Sequence, residues 1–222
     1  MHFRYRPLFS YLDTSMARNL GHTAPPLYGL VLAGGRSTRL QRDKGGLAYH
    51  GVAQVRWTLN LLEGLCRQQF VSIRSEQAGT APYQGLAVIV DIDASMGPAS
   101  GLWAALQQFP GVAWLVAAAD MPLLDRALFE KLIQQRDAEA LATAYRHQDG
   151  APEPLCAIWE PGVLAMLEAR RAEGSVSLRR LLEAGPAKFV PVEDERAFSN
   201  VNTPADDLRV RQFLERGKPV GA

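Results

Sequence analysis

The chain has 222 residues, of which 47% are hydrophobic and 21% charged, and its 24 basic and 23 acidic side chains leave a net charge of +1. Such a composition is that of a globular protein with room for one large α/β domain or two small ones, and the charge balance argues against a surface built for nucleic acid or an anionic membrane. No run approaches the ~18 apolar residues that span a bilayer, and the distant Cys66 and Cys156 give neither a disulfide framework nor zinc-ligand spacing, which fits a reducing cytoplasm.

Residues 1–26 contain three arginines, one acid and no apolar core of a secretory signal. Their bias is weakly like that of a transit peptide, and Met16 stands where a natural start could lie, twelve residues before Tyr28. The expectation is a flexible extension without chemistry, followed by one domain over 27–222.

From Tyr28 onward short apolar runs alternate with helical segments. Tyr28–Ala33 is a continuous apolar run ending in Gly34-Gly35, as a buried parallel strand should be. Val52–Leu65 places Val52, Val55, Leu59, Leu62 and Leu65 near a 3.6 spacing, predicting an amphipathic helix. Strands are expected at Phe70–Ile73 and Leu86–Val90, a helix at Gly101–Phe109, and a buried strand at Val112–Ala119 that ends at Asp120. A helix over Asp125–Gln135 has Asp125 at its start. Strands at Leu141–Tyr145 and Leu155–Trp159 follow, then a helix opened by Pro161 and running to about Arg171. Ser177–Ala184 reads as a helix, Lys188–Val192 as a strand, and Pro204–Glu215 as the closing helix. This alternation predicts a single Rossmann-like α/β domain, with a mostly parallel sheet flanked by helices on both faces. Ligands of such sheets bind beyond the carboxyl ends of the strands, where Gly34, Gly35, Arg74, Asp91 and Asp120 fall.

The segment Leu32–Leu47, LAGGRSTRLQRDKGGL, carries most of the functional information. Paired glycines at a strand end let backbone N–H groups approach a phosphate or a base edge. Arg36, Arg39, Arg42 and Lys44 add the positive charge that a triphosphate needs in a partly dehydrated site. The spacing is neither GxGxxG nor GxxxxGK[ST], which sets aside the usual dinucleotide and P-loop readings. A glycine turn flanked by solvated arginines would produce the same string. By the same token, Asp120 could merely flank a helix, and Asn200 and Asn202 could merely shape the turn before Thr203-Pro204. His2, His22, His50 and His147 are scattered and are given no role.

That segment resembles the LAGGxSxRMGxDKxL loop of the molybdenum cofactor guanylyltransferases, within the broader nucleotidyltransferase group. In the same order, VIVDIDASMGPASGL resembles their acidic strand end and GPLAGL turn, AAADMPLL their CDxPxL strand, and FSNVNTPADDL their closing NTPEDL motif. The resemblance runs from about Tyr28 to Leu208. It implies that Leu32, Ala33, Gly34 and Gly35 hold the nucleotide through the backbone, with Arg39 and Lys44 around the triphosphate. It puts Asp91 near the nucleoside, Gly101 at the end of the GPLAGL-like turn, and Asp120 on Mg2+. Asn200 and Asn202 would lie near metal and acceptor, with Asn202 as a second ligand, direct or through water. Four features depart from the pattern. Gln41 replaces a glycine, Ser100 an alanine, and Arg74 an asparagine near the base, while residues 153–161 lack the family's histidine.

The implied reaction transfers GMP from GTP to a molybdopterin-type cofactor and releases pyrophosphate. The acceptor phosphate is already a nucleophile, so alignment and charge neutralisation suffice and no Ser/His/Asp triad is needed. Alternatives are the same transfer from CTP, a sugar-phosphate nucleotidyltransferase, and a non-catalytic nucleotide-binding chaperone for molybdoenzymes. LAGG where cytidylyl members tend to carry LAAG favours GTP, and Lys44 retained with Asp120 favours an enzyme. Expected partners are GTP, molybdopterin or the molybdenum cofactor, and cofactor-delivery proteins or molybdoenzymes.

Overall fold

The computed structural model describes residues 24–35, 43–93, 96–174 and 176–216. Among the described residues seven strands form one sheet in the order β3-β2-β1-β4-β6-β5-β7. They are β1 (Leu27–Leu32), β2 (Gln69–Ile73), β3 (Val88–Val90), β4 (Ala113–Ala118), β5 (Ala142–Arg146), β6 (Pro152–Trp159) and β7 (Ala187–Pro191). β1 pairs in parallel with β2 and β4, β2 with β3, and β5 with β7. β6 runs antiparallel to both β4 and β5, so the sheet is mostly parallel as expected.

The helices are α1 (Gln54–Leu62), α2 (Pro98–Gln108), α3 (Arg126–Gln134), α4 (Val163–Ala172), α5 (Leu178–Ala184) and α6 (Pro204–Arg216). Every residue of β4 is buried because both faces of the sheet are covered. On one face Val55 and Leu62 of α1 and Phe129 and Leu132 of α3 pack with Val31, Val71 and Leu115. On the other, Leu102 and Leu106 of α2, Leu167 of α4 and Leu181 of α5 pack with Leu30, Trp114 and Val116. No described helix is long and apolar enough to cross a membrane.

Three helices differ at their ends from the sequence expectation. α1 omits Val52, which is exposed, and stops before Leu65, because Gly64 adopts φ +74° and breaks the helical path. α2 starts three residues before Gly101: Gly97 turns the chain at φ +55° and Pro98 takes the first helical position, where its missing N–H costs nothing. α4 begins at Val163, with Gly162 at its cap and Pro161 still outside. Asp125 and Ser177 do cap α3 and α5, accepting from the N–H of Leu128 and of Arg180.

Candidate active site

Just beyond the carboxyl ends of β1, β2 and β4 lies a cleft of about 280 Å3. Leu32, Ala33, Gly34 and Gly35 line it along the end of β1, Arg74 and Asp91 enter after β2 and β3, and Lys44 and Asp120 face it from the opposite side. Ser72, Gly97, Pro98, Ala118, Ala119 and Leu155 complete the wall, none of them singled out from the sequence as a site residue.

The charged centre is a three-residue contact. Lys44 Nζ donates to Asp120 Oδ2 at 2.8 Å and to Asn202 Oδ1 at 2.5 Å. Its side chain is 16% exposed and that of Asp120 22%, so water still reaches the pair. Asp120 comes from the end of β4, while Asn202 precedes α6. The two are joined through the backbone as well, the N–H of Val201 donating to the carbonyl of Asp120 at 2.8 Å. Thr203 and Asp206 then exchange hydrogen bonds at the start of α6, a reciprocal cap that fixes the approach of Asn202.

On the other side of the cleft, Asp91 Oδ1 accepts from the Ser72 hydroxyl at 2.5 Å. Its second oxygen lies against Gly34, where a Cβ would stand only 2.1 Å from it. Burial pushes the Asp91 carboxyl above the usual aspartate range, opposed by the Ser72 hydrogen bond and the Arg74 charge. Arg74 Nη1 donates to the carbonyls of Gly34 and Gly35 at 2.6 and 2.8 Å, and Nε to Glu76 at 2.7 Å. Tying down both carbonyls fixes the orientation of the glycine peptides that face the cleft.

Two expected site residues are placed elsewhere. Gly101 is in the first turns of α2, is buried, and does not end a turn; its added Cβ would stand 2.0 Å from Ser72 Oγ and 2.9 Å from Leu32 Cδ2. It is a glycine because α2 rests directly on β1 and β2. Asn200 is exposed and lines a separate hollow with Leu123, Arg196 and Phe213, apart from Lys44 and Asp120. Arg39 falls outside the described residues, as do Arg36 and Arg42.

Strand-end glycines, a lysine bonded to an aspartate at the neighbouring strand end, and an asparagine bonded to that lysine thus meet at one cleft. Residues 29–189 match the model of the MobA-like NTP transferase domain. The chain belongs to that family. A molybdenum cofactor biosynthesis bifunctional protein of Synechocystis is 35% identical over 82% of the chain, although the match spans only 52% of that longer relative. A molybdenum cofactor guanylyltransferase of Pseudomonas putida is 32% identical over 81% of the chain and 95% of its own length. Among solved structures, the molybdopterin-guanine dinucleotide biosynthesis protein A of Archaeoglobus fulgidus superposes with TM-score 0.71 at 26% identity, covering 85% of this chain and 99% of that one. The MobA-like domain is thus a nucleotidyltransferase with a Rossmann-like sheet.

Behind the cleft, the MobA-like domain holds a polar cluster that no motif announced. Gln77, 4% exposed, sits in a 3-10 turn after β2, its side-chain oxygen accepting from Arg74 N at 2.9 Å. Its amide nitrogen reaches Asp43 Oδ2 at 2.9 Å, the Tyr83 hydroxyl at 3.0 Å and the Ala33 carbonyl at 3.2 Å. Tyr83 donates to Asp43 Oδ1 at 2.6 Å. Asp43 lies 34 and 40 residues from Gln77 and Tyr83 along the chain, which is why spacing could not find the contact.

Proposed function

We propose that the chain transfers GMP from GTP to a molybdopterin-type cofactor. An oxygen of the acceptor phosphate attacks the α-phosphorus of GTP, the bond from that phosphorus to the β-phosphate bridging oxygen breaks, and pyrophosphate leaves with the bonding electrons. The contact of Lys44 with Asp120 and Asn202, beside Gly34-Gly35, carries this reading.

In it, the Gly34 and Gly35 backbone and Arg39 receive the triphosphate, and Asp91 accepts from N–H groups of the base. Leu32 and Ala33 line the nucleoside end, Arg74 holds the glycine peptides, and Lys44 moves onto the departing pyrophosphate. Asp120 and Asn202 would hold Mg2+. Their oxygens already converge on one cation, and hard oxygen donors suit magnesium. Among the described residues no group of three His, Cys, Asp or Glu side chains could form a protein-only cage, so phosphate oxygens and waters would fill the remaining positions. Bound there, the ion would neutralise charge developing on the transferred and leaving phosphates. Asn200 would face the acceptor from its own hollow. The reaction would run in the cytoplasm, in keeping with the free thiols of Cys66 and Cys156, and supply molybdoenzymes or their cofactor-delivery proteins.

Pyrophosphate release, measured with each nucleoside triphosphate and with or without molybdopterin, tests this. GTP should exceed CTP by at least about tenfold, ~1.4 kcal/mol of discrimination. Equal use of both would overturn the guanylyl assignment and leave the nucleotidyltransferase standing. No release with any of them would overturn both.

A further inference from the structure

Lys44 must be aimed at the triphosphate, yet residues 44–46 form only a short 3-10 turn, too brief to be rigid by itself. Its rigidity is imported. Asp43 caps that turn by accepting from Gly45 N at 2.9 Å, and the same carboxylate is gripped by Tyr83 and Gln77. Through its third contact, to Ala33 O, the Gln77 amide also touches the start of the glycine segment. One buried amide therefore bonds both Ala33, next to the paired glycines, and Asp43, next to Lys44. The packing is close: a Cβ on Gly45 would stand 2.4 Å from the Tyr83 hydroxyl, so only glycine admits that hydroxyl to Asp43. Burial and the neighbouring Asp43 charge hold the Tyr83 phenol well above its ordinary pKa, which keeps it a neutral O–H donor.

We propose that Tyr83 and Gln77 are positioning residues for Lys44, acting through Asp43. Neither side chain lines the cleft itself, although Gln77 bonds the backbone of two residues that do, Ala33 and Arg74. Their hydrogen bonds set where Lys44 Nζ stands relative to Asp120. The proposal rests on the role given to Lys44 above.

Tyr83→Phe removes one oxygen and keeps the ring. Tyr145→Phe is its control: Tyr145 is equally buried, and its hydroxyl donates to Leu128 O at 2.9 Å, in the α3 region away from Lys44. Two readouts are taken on the full chain. One is kcat and KM for GTP. The other is the rate at which acetic anhydride modifies Lys44 in the absence of nucleotide, normalised to Lys188 by mass spectrometry. In Tyr83→Phe, kcat should fall about tenfold while KM changes less than about threefold, since misplacing a transition-state contact costs rate more than binding. Lys44 should be modified at least about threefold faster as its hold on Asp120 loosens. Tyr145→Phe should lower the melting temperature comparably and move neither readout. Gln77→Met should repeat the Tyr83→Phe pattern, and serves if that variant does not fold. Wild-type kcat, wild-type Lys44 reactivity, or an equal kcat loss in Tyr145→Phe would overturn the proposal. If the wild-type chain releases no pyrophosphate, the functional reading fails and the Lys44 reactivity alone decides the positioning role.

Discussion

Asp120→Asn separates chemistry from packing. Asparagine keeps the size of the side chain and an oxygen for Lys44, and the carbonyl that anchors Val201 belongs to the backbone, so the closing segment stays attached. What is lost is one negative charge. In the free protein that charge pairs with Lys44 at 2.8 Å, with exposures of 16% and 22%. A pair still reached by water stabilises by about 1 kcal/mol or less. For a domain of this size that is about 2–4 °C of melting temperature. In turnover the same charge would help hold magnesium against the triphosphate, where metal-assisted stabilisation reaches several kcal/mol. Losing ~2.7 kcal/mol of it lowers the rate ~100-fold. The assay is pyrophosphate release at saturating GTP, molybdopterin and magnesium, beside a thermal melt without ligands. Near-normal turnover refutes the metal role. A fall in ligand-free melting temperature above about 10 °C would instead make Asp120 a structural acid at the end of β4.

Two glycine substitutions should behave oppositely. Gly101→Ala drives a methyl into Ser72 and Leu32 and should cost about 1–3 kcal/mol of stability by overpacking, seen as a lower denaturation midpoint. Gly34→Ala meets only the movable end of Asp91, so the fold should hold while GTP affinity, measured by calorimetry, drops at least about tenfold as the carboxylate is pushed off Ser72. For the extension, a chain beginning at Met16 should melt and turn over like the full one, because β1 starts at Leu27 and the preceding anchor, Arg136 Nη2 to Pro25 O at 2.9 Å, is retained. Loss of solubility or activity in the shortened chain would make residues 1–15 part of the domain.

Sequence by itself determined the layered architecture. A strand covered on both faces must be apolar throughout, so β1 and β4 announced themselves as unbroken runs, and a helix covered on one face must repeat near 3.6, so α1 and α3 did too. The β4 run also pointed to Asp120, a charge at a strand end, while Lys44 was read from the basic glycine-rich segment that follows β1. Even the early start of α2 is written in Gly97-Pro98, a turn glycine followed by a proline that fits the first helical position.

Tertiary structure decided what spacing cannot encode. An apolar strand reads alike in either direction, so nothing in Pro152–Trp159 revealed that β6 runs against its neighbours. Asn200 and Asn202 look equivalent in the NVNTP motif. The bond from Val201 N to Asp120 O and the Thr203–Asp206 cap turn Asn202 onto Lys44, while Asn200 is left at another hollow. Asp43, Gln77 and Tyr83 are ordinary polar residues until the sheet brings them together. A hydrogen bond acts over about 3 Å, whereas a sequence pattern records only neighbours along the chain. Local periodicity therefore fixed the layers, and the contacts between layers fixed which polar atoms meet.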